Sequence, residues 1–308
     1  MTSEQIPDIV GDIASLVGND LKLEDSQRFA AIIGMNPSQG ARSPVLWNAA
    51  FDAHGIDTEM IPFDVTQENL GALLAAVEGN ANFIGGAVAV PYKEAVARWL
   101  GERLTPEAAA IGAVNCLYRA LDGRLMGTNT DGEGALASFE AARGSVAGRS
   151  VLILGPGGAG KAVAAYFASS VKSGGRLAIV GRSETGRSFA DRLGVTWINW
   201  SDVTGALSST DVLVNCTSVG AGAQTGRTPL AVRQLALLPS HAVVFDIIYQ
   251  SRPSALLSLA MARGLSTLDG LAMNLEQAVL AWGHAAPQSL DPAVTRVAME
   301  AVAKNLST

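Results

Sequence analysis

Apolar residues fall along this chain in two series of short runs. From residue 29, FAAIIG, TEMIPF and NFIGGAVAV are runs of strand length. Between them, PVLWNAAFDAHG and NLGALLAAVEGN carry a helical period and close on Gly55 and Gly79. The alternation predicts βαβ units and a mostly parallel sheet. AVNCLYRA and RLMGT flank Asp122 and Gly123, a pair suited to a type I′ turn, and predict a hairpin. NTDGEGALASFEAARG reads as a helix leading to the second series. There SVLILG, RLAIVG, VTWIN, DVLVNC, AVVFDI and STLD predict strands, and AGKAVAAYFASSV and ETGRSFADRLG predict helices, in a doubly wound order. Two apolar helices, LAMNLEQAVLAWGHAA and PAVTRVAMEAVAKNL, come last. Residues 1–24 predict an extension with a short helix over 6–18.

The 308 residues suit two domains, and with 48% hydrophobic residues each can bury its own core. A net charge of −6 argues against a nucleic-acid or anionic-membrane surface, so an anionic ligand must be held by a few placed cations and backbone amides. Cys116 and Cys216 sit in apolar strands and predict buried free thiols, with no metal cage. The N-terminus lacks a basic and an apolar region of the secretory kind, and no apolar run approaches the roughly twenty residues of a membrane span. A cytoplasmic protein, monomer or homodimer, is expected.

Gly155, Pro156, Gly157, Gly158, Ala159 and Gly160 follow a predicted strand directly and open a predicted helix. Glycines in that order let the backbone approach a pyrophosphate, whose charge the amides of the helix N-terminus stabilise. The same stretch mimics a P-loop, but Ala162 stands where a magnesium-binding hydroxyl is needed, so Lys161 reads as a solvated first-turn residue. The next strand ends in Gly181, Arg182 and Ser183 with no acid at its tip. Arg182 can stack on adenine and pair with a 2′-phosphate, and Ser183 can donate to it, so NADP is expected, with NAD as the alternative. Glu184, just past the tip, weighs the other way.

His54, His241 and His284 lack a partner motif and read as structural or exposed. Better candidates are Lys93, Asn115 and Asp131, placed where strands end or helices open. Eight ordered segments carry a resemblance. N-P-x-x-x-x-R-S-P (36–44), V-x-V-P-Y-K (88–93), G-A-V-N (112–115) and N-T-D-G (129–132) are followed by G-x-G-G-A-G (155–160), N-x-T-S-x-G (215–220), D-x-x-Y (246–249) and D-G-L-x-M-x-x-x-Q-A (269–278). The order resembles the shikimate dehydrogenase family from about residue 29 onward. That resemblance implies an N-terminal α/β substrate-binding domain over 25–130, completed by helices over 270–308, with a Rossmann-type dinucleotide domain over 131–269 between them. It implies reversible hydride transfer between nicotinamide and a ring hydroxyl, with Lys93 and Asp131 as the catalytic pair. A lysine can take the proton that alcohol oxidation releases, while a neighbouring carboxylate orients amine and hydroxyl. The resemblance also puts Ser43, Asn115, Tyr249 and Gln277 on the substrate, and Thr217, Ser218 and Gly270 beside the cofactor.

The chain departs from the family's pattern in one pocket. Where the family reads Ser-Lys-Ser-Pro, this chain has Ala41, Arg42, Ser43 and Pro44; where it reads Asn-Val-Thr-Val-Pro, Ala87 and Ala89 replace the amide and the hydroxyl. Each lost hydrogen bond to a buried or charged substrate group costs about 1–3 kcal/mol. The expectation is therefore a shikimate- or quinate-like substrate with an altered or missing carboxylate, with Arg42 as a candidate replacement cation. The competing reading is a non-catalytic sensor of NADP(H) or a metabolite; a methylenetetrahydrofolate-type dehydrogenase fits the N-T-D-G and D-G-L segments poorly.

Overall fold

A computed structural model describes residues 9–21, 28–171, 174–249, 253–287 and 289–305. It divides into two compact units, one of residues 1–129 with 278–308 and one of residues 130–277. The expected N-terminal extension lies in part outside the described residues.

The first unit begins with α1 (Ile9–Leu16), β1 (Phe29–Gly34), α2 (Ser43–Ala53), β2 (Glu59–Asp64), α3 (Leu70–Gly79) and β3 (Phe83–Val88). It continues with α4 (Lys93–Leu100), α5 (Pro106–Ile111), β4 (Cys116–Arg119) and β5 (Leu125–Thr128). The sheet order is β2-β1-β3-β4-β5, parallel across the first three strands and antiparallel from β3 onward. Phe29 is the centre of its core, with ring centroids 6.1 Å from Phe63 and 5.5 Å from Phe83. Gly86 allows β1 and β3 to close, since a Cβ there would stand 1.9 Å from the Ala31 carbonyl oxygen.

The second unit holds α6 (Asp131–Arg143), β6 (Ser150–Leu154), α7 (Gly158–Val171), β7 (Arg176–Gly181), α8 (Glu184–Leu193), β8 (Thr196–Asn199) and the short α9 (Thr204–Leu207). It goes on through β9 (Val212–Asn215), the short α10 (Val232–Leu235), β10 (Val243–Asp246), α11 (Ala255–Ala262) and β11 (Ser266–Leu268). α12 (Leu271–Ala285) begins in this unit and ends in the first, which α13 (Pro292–Asn305) completes. Six parallel strands lie in the order β11-β10-β9-β6-β7-β8, the doubly wound arrangement. Alternate residues serve opposite faces: Val151 and Ile153 enter one buried cluster, Leu152 and Leu154 the other. A sheet covered on both sides gives the unbroken apolar runs seen in the sequence.

Two details differ from the sequence reading. The hairpin closes through a three-residue loop, because the Ala120 N–H donates to the Arg124 carbonyl and Gly123, the glycine of the turn, takes a left-handed φ of 84°. Asp122 accepts from the Arg124 amide and guanidinium, which holds this longer loop in place of a two-residue turn. Helices α4, α5 and α11 were not announced by the hydrophobic pattern; at eight residues or fewer they are shorter than the window in which a helical period shows.

Candidate active site

The glycine turn is built at the switch point of the parallel sheet, where β6 and β9 pair through Leu154 and Asn215 and the chain leaves them in opposite directions. After β6 the backbone turns at Gly155, whose φ is 94° and whose N–H donates to Val180. A Cβ on Gly160 would stand 1.8 Å from the Gly155 carbonyl oxygen, so only glycine lets α7 start this close to the strand. Gly157 is exposed, and nothing lies within 4 Å of the place its Cβ would take. An open face of backbone beside the first turn of a 14-residue helix, with Gly158 and Ala159 in that turn, fits a pyrophosphate. Lys161 is half-buried there, not fully solvated as expected.

The loop after β9 faces this turn, with Thr217 Cγ2 2.8 Å from the Gly155 Cβ position. It is held by a chain of side chains. Asn215 Oδ1 accepts from the Thr217 amide at 3.1 Å and hydroxyl at 2.7 Å, and Thr217 Oγ1 accepts from Val219 N–H. Asn215 Nδ2 donates to Asp246 Oδ1 at 3.0 Å. Asp246, fully buried, also accepts from Ile248 N–H and, at 2.6 Å, from the Ser254 hydroxyl, which caps α11. Burial pushes the Asp246 carboxyl above its ordinary value against these donors. The sequence reading named both motifs but missed this link; its signal is the register Asp246↔Asn215 between neighbouring strands. Ser218 is exposed and accepts from Gln224.

Arg182 is exposed just past the tip of β7, with its guanidinium carbon 4.7 Å from the Trp200 ring centroid. Ser183 is the N-cap of α8, its hydroxyl oxygen accepting from Gly186 N–H at 3.2 Å. Tyr249 lies half-buried in the loop after β10. Gly270 is a packing glycine, since a Cβ there would be 2.0 Å from the Ile247 carbonyl oxygen. Gln277 donates through Nε2 to the Asn274 carbonyl, and its own carbonyl accepts from Thr130 Oγ1 at 2.9 Å. Asp131, the first residue of α6, is buried, and its charge acts with burial and Asp246 to raise the Cys216 thiol.

In the first unit, Ser43 and Lys93 follow the C-terminal ends of β1 and β3, and Asn115 directly precedes the antiparallel β4. Ser43 opens α2 and is buried. Lys93 opens α4, its carbonyl accepting from Val114 N–H at 2.9 Å, next to the buried Asn115. Asn115 is fixed on both sides, its carbonyl accepting from Val88 N–H and its N–H donating to Thr128. Tyr92 anchors the preceding turn through a 2.7 Å bond to the Val65 carbonyl, and burial raises its phenol. Ala87 is buried and Ala89 half-buried, with the Ala89 methyl 3.0 Å from the Gly34 Cβ position. Arg42 is buried and its Nη2 donates to the Ala303 carbonyl in the last turn of α13.

The remaining candidates are structural. His54 bonds Thr295 and stacks on Trp282, His241 pairs with Asp211, and His284 packs on Tyr118. Cys116 is buried and Cys216 half-buried; both are free, and burial raises both thiols. Among the described residues no group of three His, Cys, Asp or Glu side chains could hold a metal ion. No described helix is long and apolar enough to cross a membrane.

A six-stranded doubly wound sheet with a glycine turn at its switch point, joined to a second α/β unit, defines a two-unit dinucleotide-binding class. The family model described as the shikimate dehydrogenase substrate binding domain matches residues 32–117. A shikimate dehydrogenase (NADP+) of Thermosynechococcus vestitus is 35% identical, over 91% of this chain and 97% of its own. A crystal structure of the Thermus thermophilus shikimate 5-dehydrogenase, in complex with NADP(H) and shikimate, superposes with a TM-score of 0.73 at 28% identity, covering 89% of this chain and 99% of that one. A 5-ketofructose reductase of a Gluconobacter species gives 0.67 at 28% identity, covering 89% and 98%. The chain belongs to the shikimate dehydrogenase family.

Proposed function

We propose that this chain is an NADP-dependent dehydrogenase acting on a ring hydroxyl of a shikimate- or quinate-like compound, with Lys93 and Asp131 as its acid–base pair and a carboxylate pocket altered from the family's pattern. The observation that carries the reading is the glycine turn, open at Gly157 and closed at Gly160, at the switch point of the parallel sheet. Gly155, Gly157, Gly158, Ala159 and Gly160, with Thr217, Ser218 and Gly270 nearby, would hold the cofactor, and Arg182 with Ser183 would take its 2′-phosphate. NADP, when bound, supplies the hydride acceptor of the reaction.

The chain's own groups do the rest. Lys93 takes the proton from the hydroxyl, and Asp131 orients the amine and the hydroxyl. Asn115 binds a ring hydroxyl, Gln277 binds the substrate from α12, and Ser43 and Tyr249 lie toward the end where the family places a carboxylate. Ala41, Ala87 and Ala89 remove three hydrogen-bonding groups from that surface, and Arg42 turns one nitrogen, Nη2, to the Ala303 carbonyl. Losing about 1–3 kcal/mol per bond, the pocket favours a substrate that lacks the carboxylate or places it elsewhere. The related 5-ketofructose reductase is named for a ketosugar, so this fold is not confined to one ring acid.

Turnover measured with shikimate, quinate and uncharged cyclic polyols tests the substrate. Efficient NADP-linked oxidation of shikimate itself would refute the altered pocket. Substituting Lys93 by Ala tests the chemistry: turnover should fall about a hundred- to ten-thousandfold. Cofactor affinity should stay unchanged, whereas undiminished turnover removes Lys93 from the reaction.

A further inference from the structure

The geometry points to Trp200 as the residue that positions Arg182 for a 2′-phosphate, and so as a determinant of the choice between NADP and NAD. The inference rests on the NADP reading proposed above. β7 and β8 are parallel neighbours whose last rung pairs Gly181 with Asn199. Arg182 and Trp200 are each the next residue beyond that rung, and strands in a sheet run about 4.8 Å apart. Neighbouring strands thus bring the two side chains within reach, and the Arg182 guanidinium carbon lies 4.7 Å from the Trp200 ring centroid. The register of β7 and β8 therefore sets the two residues side by side.

The two partners differ in mobility. Trp200 packs against the buried cluster that contains Leu152, Leu154, Val180 and Leu207, so its ring is anchored. Arg182 is exposed, and an exposed arginine must otherwise give up its rotamer freedom when it meets an anion. A ring under the guanidinium spends much of that freedom in advance. Stacking uses the π face and leaves the N–H donors in the plane, where a phosphate can take two of them at once. An ion pair in the same place would have consumed those donors and cancelled the charge.

The neighbouring residues show the contrast. Arg187 donates to Asn199 Oδ1 at 3.4 Å and faces Glu184 at 3.9 Å, so its edge is directed within the protein. Trp197, two residues before Asn199, packs on the opposite face of the sheet and donates to Asn199. Its ring also fills the space beside Gly181 and Gly186. Trp197 shapes the turn; Trp200 is the aromatic ring that meets Arg182.

The test is equilibrium binding to the full-length chain, by calorimetry, of NADP+, NAD+ and adenosine fragments with and without a 2′-phosphate. Trp200→Ala should weaken binding of the 2′-phosphorylated ligands about two- to fivefold, the fold-change of an exposed cation–π contact. Binding of NAD+ and the unphosphorylated fragment should hold, and Trp200→Phe should recover most of the loss. In an Arg182→Ala background, removing Trp200 should change the NADP+ to NAD+ ratio no further. Equal weakening of both cofactors, or an unchanged ratio in Trp200→Ala and Trp200→Phe alike, overturns the assignment while leaving the NADP reading intact. A wild-type chain that binds NAD+ as tightly as NADP+, with Arg182→Ala moving neither, sinks the NADP reading and this inference with it.

Discussion

Replacing Asp246 probes how the loop after β9 is held, and the structure sets the size of the effect. Its carboxylate accepts three hydrogen bonds, from Asn215 Nδ2, Ile248 N–H and the Ser254 hydroxyl. In Asp246→Ala, Asn215 keeps a second acceptor, the Val219 carbonyl at 3.4 Å, and Ser254 can turn its proton. The Ile248 N–H has neither recourse. At about 1–3 kcal/mol per buried unsatisfied donor, with one group fully and one partly orphaned, the loss should be about 2–4 kcal/mol. Asp246→Asn keeps an oxygen for Ile248 and Asn215 and presents an amide to Ser254, so it should cost about 1 kcal/mol or less. Because Asn215 orients Thr217, the alanine variant should also bind NADP+ more weakly.

The pH dependence of the two chains separates this account from simple loss of packing. Burial, the largest influence, raises the folded carboxyl above its ordinary value. A carboxyl raised in the native state contributes most when protonated, below its unfolded value of about 3.9, and that contribution is lost as pH rises through the folded value. Asp246→Asn carries no proton to lose. Its stability relative to wild type should therefore improve from about pH 4 upward, read from urea midpoints across that range. A gap that widens with pH, or an alanine variant as stable as the asparagine one, would refute the reasoning.

Three further outcomes follow from single contacts. Arg182→Ala should weaken NADP+ binding about ten- to a hundredfold, the worth of a charge-assisted bond, with little change for NAD+; equal losses for both would remove Arg182 from the 2′-phosphate. Gly160→Ala, whose Cβ would meet the Gly155 carbonyl oxygen at 1.8 Å, should destabilise the chain by about 1–3 kcal/mol and weaken both cofactors. An unchanged dissociation constant would mean that the turn does not hold the pyrophosphate. Arg42→Ala should cost about 1–2 kcal/mol in thermal or urea unfolding by freeing the end of α13, with substrate KM unchanged. A raised KM at unaltered stability would return Arg42 to the pocket.

The elements were largely legible because their signals are local. β6 feeds Val151 and Ile153 to one core and Leu152 and Leu154 to the other, and such a strand must read as a continuous apolar run. The glycine turn is equally local, since the strand, the turn and the helix that need Gly155 and Gly160 lie within twenty-odd residues. What the sequence hid depends on register or on distant packing. Asn215 and Asp246 are 31 residues apart and meet because β9 and β10 are neighbours. Arg182 and Trp200 meet because β7 and β8 are. Neither pair shows in the hydrophobic pattern, because each depends on which strands become neighbours.

Arg42 makes the most distant of these contacts, because its partner Ala303 lies 261 residues away. Read from the sequence, an arginine beside three alanines offers a charge to replace lost hydrogen bonds. In the fold, that charge closes the last turn of α13, where a cation meets the negative end of the helix dipole. On the proposed reading, the surface around Ala41, Ala87 and Ala89 carries fewer polar groups than the family's pattern, and Arg42 gives one of its nitrogens to α13. Under the proposed change of substrate, the fold stays intact while polar contacts thin at one wall. A failure of the fold would instead have struck the glycine turn or the buried Asp246, and both are in place.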